Sequence, residues 1–362
     1  MTAKFKAEAV SGSSQSRKTN LKRLRWLGVV FTILGVALFS YFIASVGLDE
    51  VLRGIGRIGF GGFAFIIFIY FLRILIRATS WKLSVSAPYS LTLRDTTEAV
   101  IIGEAMSSII PLGILVSGTT KAVAVRKKMP IVVGLSTVAT ENLFYSLVTG
   151  LFIAFGAVVF LRNFELSDSW TLTLDALIGF IFLLIIFGVL MVVRQWHFLS
   201  EALERLYEKG ILRRWTEDGR LHARLFENLI YGFYRQYPQR FLPIFLLQIL
   251  FHTLGVFEVW FILSRLSDSA SLYGAFLLES ISRVITVVFK LVPFLMGVDE
   301  AGAQFVTETL ALGAGLGVTL AIIRKGRILF WSITGVALIL KRGLSFSDIH
   351  KANEDLEAET RV

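Results

Sequence analysis

Eight ionisable side chains fall in stretches that are otherwise apolar: Lys121, Glu141, Arg283, Lys290, Asp299, Glu300, Arg324 and Arg327. Glu98, Glu104 and Lys325 accompany them. Their types and spacing leave little room for bond-making chemistry. The chain has no cysteine, so a thiolate metal site, a disulfide and a Cys nucleophile are excluded. Four histidines (His197, His222, His252 and His350) are too scattered to make a metal-ligand pattern. No phosphate loop or catalytic triad is present. The chemistry that remains is recognition by charge. A group of Lys and Arg in a polar cavity suits an anionic headgroup, and helix N-termini at a chain break add to the attraction. Structural ion pairing is the competing reading for any single one of these residues.

Such charges must be carried by elements that keep them from lipid. Of 362 residues 55% are hydrophobic, 18% are charged and the mean hydropathy is +0.69. Trp26–Val46, Phe60–Arg73, Pro130–Leu161, Trp170–Val193, Phe241–Leu263 and Gly317–Leu340 are near or above the ~20 apolar residues that cross a bilayer. The pattern predicts an all-α integral membrane protein with six full spans. Two further segments read as re-entrant helical hairpins. Thr97–Lys128 is broken at Pro111, Gly113 and Gly118, and Leu272–Gly317 is broken at Pro293, Gly297 and Gly302. Each arm of the first is too short to span alone. Irregular backbone at that depth needs protein or water around it.

Charge placement orients the chain. Residues 1–25 hold seven basic residues against Glu8 alone, and the connection 194–240 holds nine. Both are expected in the cytoplasm, which requires Thr97–Lys128 to turn back. The net charge of +10 is therefore read as a topology signal with contact to anionic lipid headgroups, and no nucleic-acid partner is expected. The loop Gly47–Gly59 falls outside. Trp26–Val46 is read as an uncleaved anchor. Residues 26–340 form one transmembrane domain, with halves about 26–161 and 170–340, and the second half repeats the first inverted. Residues 341–362 form a polar cytoplasmic tail. Within 194–240, Leu199, Leu203 and Leu206 share one helical face, as do Leu221, Leu225, Leu229 and Phe233. Two amphipathic surface helices with a break at Thr216–Gly219 follow. Arg73 and Arg77 are read as snorkelling interface anchors and Trp81 as an interface aromatic. Glu141-Asn142-Leu143 and Arg324-Lys325-Gly326 take matching places in the two halves, so Glu141 and Arg324 are expected to be coupled near the bundle centre.

The hairpins carry a resemblance. Pro111 followed by Lys121-Ala122-Val123 and Arg126-Lys127-Lys128-Met129-Pro130, then Glu141-Asn142-Leu143, resembles one conserved segment of a flippase-like family. That family is related to the transmembrane region of lysylphosphatidylglycerol synthase. Pro293 through Gly297-Val298-Asp299-Glu300-Ala301-Gly302 and Arg324-Lys325-Gly326-Arg327 resemble two others. The likeness extends over about residues 25–340 and is nearest to hopanoid-associated membrane proteins. Ser117-Gly118-Thr119 stands where the family carries a Gly-Glu step, and Lys121 replaces an arginine. The resemblance implies movement of a membrane lipid, anionic or polyisoprenoid or hopanoid in type, across or between membranes. Alternating access at the hairpin tips would be the means, in the inner (plasma) membrane, with no cofactor and no enzymatic activity. Lipid-biosynthesis enzymes are candidate partners, and the sequence does not specify an oligomeric state. A non-transporting scaffold for a lipid-synthesis complex, or an intramembrane lipid-modifying enzyme using Asp299 and Glu300, are the alternatives.

Overall fold

The computed structural model describes residues 48–109, 113–163, 194–208, 227–289, 292–313 and 315–342. Isolated positions at 40–41, between 172 and 190 and at 224 are also described. Trp26–Val46 therefore lies almost wholly, and Trp170–Val193 mostly, outside the described residues. Residues 1–25, Pro111, Thr216–Gly219, Lys290 and the tail beyond Arg342 lie outside them entirely.

The described residues are helical apart from short turns and connections, and no strand occurs among them. Helices are α1 (Leu48–Leu83), α2 (Leu93–Ile109), α3 (Gly113–Ala124), α4 (Ile131–Asn163), α5 (Phe198–Glu208), α6 (Phe241–Leu266), α7 (Leu272–Val288), α8 (Val298–Thr309) and α9 (Leu316–Arg342). Among the described residues three helical stretches are long and apolar enough to cross a membrane: Val51–Leu83, Ile131–Phe160 and Pro238–Leu266. Helix α9, with 27 residues, is long enough, but Arg324, Lys325 and Arg327 interrupt its apolar run. The expected loop Gly47–Gly59 is instead the first part of α1. That helix bends at Gly59, whose φ of 62° and ψ of 177° suit only glycine.

Local chemistry sets the element ends. Thr92 and Asp95 form a reciprocal cap on α2. The Asp95 amide donates to Thr92 Oγ1 (3.2 Å), and the Thr92 amide donates to Asp95 Oδ2 (3.0 Å). Partial burial pushes the Asp95 carboxyl up, but the Thr92 hydrogen bonds and Lys128 outweigh it and hold it below its ordinary value. Ser271 caps α7 by accepting from the Gly274 amide at 3.0 Å. Each long central helix also gives its last carbonyl to an arginine at the start of the other. Arg57 Nη1 donates to Leu266 O at 3.0 Å, and Arg240 Nη1 donates to Leu83 O at 3.1 Å and to Val85 O at 2.7 Å. Helix α5 packs on the helical residues 227–236 through Ser200 Oγ to Glu227 Oε2 (2.7 Å) and His197 to Asn228 (3.0 Å).

Two helical pairs break the bundle. Helix α2, ending at Ile109, packs on α3, beginning at Gly113, and α7, ending at Val288, packs on α8, beginning at Val298. In the second break, Phe294 (φ 54°) and Leu295 (φ 51°) are left-handed, and Gly297 (φ 77°) leads into α8. Two non-glycine residues there cost on the order of 1–2 kcal/mol each. Gly118 and Gly302, expected as breaks, lie inside α3 and α8. A tight helix contact explains Gly302: a Cβ there would come within 1.9 Å of Ile285 Cδ1.

The packing is invariant when the halves are exchanged. Helix α1 lies along α6, and each contacts both third helices, α4 and α9. Helix α2 packs on α9 as α7 packs on α4, and α3 on α4 as α8 on α9. Small residues repeat the pattern. Gly134 of α4 faces Ala122 of α3, and Gly317 of α9 faces Ala303 of α8. Gly156 of α4 faces Ser280 of α7, and Gly335 of α9 faces Ala105 of α2.

Candidate functional site

Charged side chains meet where α1, α2, α4, α6, α7 and α9 converge. Helix α1 contributes Arg73 and Arg77, one turn apart and so on one face. Arg73 is 1% exposed. Its Nη1 lies 3.0 Å from Glu258 Oε2 and its Nη2 lies 3.5 Å from Glu279 Oε1. Glu279 is the hub. Arg283 Nε donates to its Oε1 at 3.0 Å and Arg324 Nη2 to its Oε2 at 3.1 Å. Arg324 also donates to Ser282 Oγ at 3.0 Å. Glu258 accepts from Arg327 as well as from Arg73.

A second knot sits one turn along α1. Arg77 Nε and Nη2 reach the two oxygens of Glu141, both at 3.2 Å, which is the two-pronged geometry open to a guanidinium. Its Nη1 lies 3.7 Å from Glu104, which also accepts from Tyr70 at 3.0 Å. Gln248 donates to Glu141 at 3.3 Å, and Lys121 is close enough for its charge to act on that carboxylate. Aromatic faces cover what remains. Phe251 lies under Arg73 at 4.4 Å, Tyr145 under Arg77 at 4.7 Å, and Tyr70 under Arg327 at 4.1 Å. Buried ions are tolerable only when paired and hydrogen-bonded to this degree.

Of the residues expected from sequence, Lys121, Glu141, Arg283, Arg324 and Arg327 gather in this cluster. Asp299 and Glu300 stand apart at the start of α8, where Glu300 pairs with Lys325 at 2.5 Å. Glu141 and Arg324 hold matching places but do not pair with each other; each takes a different partner. Glu98 lies towards the cap of α2, paired with Arg342 and Arg94. Arg73 and Arg77 are not snorkelling anchors. Helix α1 runs ten residues past Arg73, to Leu83, so both point into the bundle. Trp81 is 1% exposed and donates to Thr137 Oγ1 at 3.0 Å, so it is an interior residue. Glu258 and Glu279 were missed. Their signals were a lone carboxylate in the apolar run 241–263 and the i, i+4 pair Glu279/Arg283.

The cluster holds six cations (Arg73, Arg77, Lys121, Arg283, Arg324 and Arg327) against Glu104, Glu141, Glu258 and Glu279. Two positive charges are in excess among the described residues. No group of His, Cys and acidic residues that could hold a metal occurs among those residues.

Long apolar helices around a buried guanidinium–carboxylate network make this a multi-pass helical membrane protein. The chain belongs to the family described as the lysylphosphatidylglycerol synthase TM region, whose model matches residues 25–336. Membership ties it to membrane-lipid metabolism or transport. Comparison with curated proteins and with solved structures returned no match.

Proposed function

We propose that the protein is a non-enzymatic lipid translocator, moving an anionic lipid between leaflets or membranes by alternating access around the central cluster. The carrying observation is the excess of buried positive charge between two helical pairs that pack alike in both halves. Charge of one sign, held in low dielectric and shielded from lipid tails, favours an anionic headgroup at this depth. The exchange-symmetric packing supports an inverted repeat with α2–α3 and α7–α8 as re-entrant hairpins. The strained turn at Phe294–Leu295 supports a tip that changes conformation.

The test is headgroup exposure in vesicles carrying the full chain, with labelled anionic, polyprenyl-phosphate and hopanoid lipids and with ion gradients applied. Wild type is expected to redistribute at least one class. Lys121→Gln is expected to slow that redistribution about tenfold, with folded yield retained. Wild-type vesicles that redistribute none of them overturn the reading and leave a scaffold.

Orientation belongs to the same proposal: the inner membrane, with both termini, Lys128 and the segment 194–240 in the cytoplasm. A cysteine introduced at Lys128 or at Arg214 is expected to react with an impermeant reagent only from the cytoplasmic side. Labelling from outside would reverse the assigned topology.

A further inference from the structure

At the end of α1 remote from Arg77, a cleft of about 140 Å³ opens between α1, the last residue of α6 and the start of α9. Arg53 and Arg57 line it, one turn apart, and among the described residues no carboxylate does. Arg57 spends Nη1 on Leu266 O, and Arg53 spends Nε on Asp49 O at 3.3 Å. Neither guanidinium makes an ion pair among the described residues. Gly315, at φ 81°, turns the chain into α9, and Gly315 and Leu316 at the N-terminus of that helix line the same space. Thr319 also lines the cleft and is 3% exposed, and among the described residues nothing hydrogen-bonds to its hydroxyl. A hydroxyl without a protein partner on the cleft wall, beside two incompletely used guanidiniums, is a set of donors awaiting an acceptor.

The opposite end of the molecule shows that packing does not require this opening. The exchange that relates the halves places the equivalent position among the last turn of α1, the start of α6 and the start of α4. Arg240 makes the matching carbonyl bonds there, and the interior is filled by Trp81, whose indole satisfies Thr137. At that end the buried Trp81 occupies the interior, while the end at Arg53 and Arg57 is open and cationic. Beside the open end, Leu52, Ile55 and Phe60 are 54%, 40% and 91% exposed. An apolar rim next to paired arginines suits acyl chains below a phosphate.

The geometry points to a phosphate-binding site in this cleft, held by Arg53, Arg57, Thr319 and the N-terminus of α9. Its occupant is the headgroup phosphate of a phospholipid whose tails lie on the α1 rim; inorganic phosphate is the other source of the same chemistry. The site is separate from the central cluster and stands whether or not that cluster moves lipid.

The test uses the full chain in an uncharged detergent, delipidated and titrated with phosphatidylglycerol, counting bound lipid by native mass spectrometry. R53Q/R57Q is expected to weaken phosphatidylglycerol binding about tenfold. Thr319→Val, which removes only the hydroxyl, should weaken it severalfold. Arg265→Gln, also exposed at that end, should leave it unchanged. Added inorganic phosphate separates the sources. Displacement of the lipid marks a pocket for the free anion, while retention marks one that needs the acyl chains. Equal binding by wild type and R53Q/R57Q, or an equal loss with Arg265→Gln, overturns the proposal. Arg57 also holds the Leu266 carbonyl, so helix content and elution are measured for R53Q/R57Q, and Arg53→Gln alone and Thr319→Val, which leave that bond intact, provide further readings.

Discussion

Glu279→Gln is expected to remove most of the folded protein. The carboxylate is fully buried and receives Arg73, Arg283 and Arg324. Neutralising it leaves three guanidiniums in the interior around a single amide, and breaking a buried ion pair in this way costs about 3–5 kcal/mol. Whole domains are stable by only about 5–15 kcal/mol. The measurement is the midpoint temperature for loss of monodisperse elution in detergent. Glu279→Gln combined with Arg324→Gln should recover part of the loss, because the second change withdraws one unbalanced charge. A single variant as stable as wild type, or a double variant worse than the sum of its parts, would contradict the hub role of Glu279. The close approach of α6 is part of the same arrangement: a Cβ at Gly255 would lie 2.5 Å from Glu279 Oε1.

Gly317→Ala carries the second large effect. The added methyl would sit 2.3 Å from the Ala303 carbonyl carbon and 2.4 Å from the Gln304 amide nitrogen. Those are backbone atoms of α8, so no side chain can turn aside, and α8 and α9 must separate. Overpacking of this kind costs about 1–3 kcal/mol or more. Gly61→Ala is the contrast. Nothing lies within 4 Å of a Cβ there, so the change should be neutral or stabilise by about 0.5–1 kcal/mol through helix propensity. Elution midpoints of the two variants should move apart. Equal midpoints would mean that α8 and α9 are not held at this distance.

What could be read beforehand follows from how each feature is encoded. The helical class and the interruptions near Pro293 and Gly297 are local, set by apolar run length and by residues with special backbone freedom. Gly118 and Gly302 look the same in sequence but serve helix contact, and only the neighbouring helix distinguishes the two uses. Arg73, Arg77 and Trp81 were assigned to the interface because a helix that is apolar all round does not declare which face is inside. Burial there depends on α4, α6 and α7, distant in sequence. The expected link between Glu141 and Arg324 assumed that matching positions meet. Each instead pairs with a different helix, Glu141 with Arg77 on α1 and Arg324 with Glu279 on α7, so equal depth in the two halves does not bring the two side chains together.

The two terminal carbonyl bonds have a mechanical consequence. Arg57 fastens the end of α6 to the start of α1, Arg240 fastens the end of α1 to the start of α6, and Arg73–Glu258 pins the pair near its middle. A slip of α1 along α6 by one turn, about 5.4 Å, would break all three pins together. The pair is therefore locked along its length like an axle, and a sliding motion between its two helices is the one rearrangement these bonds oppose together.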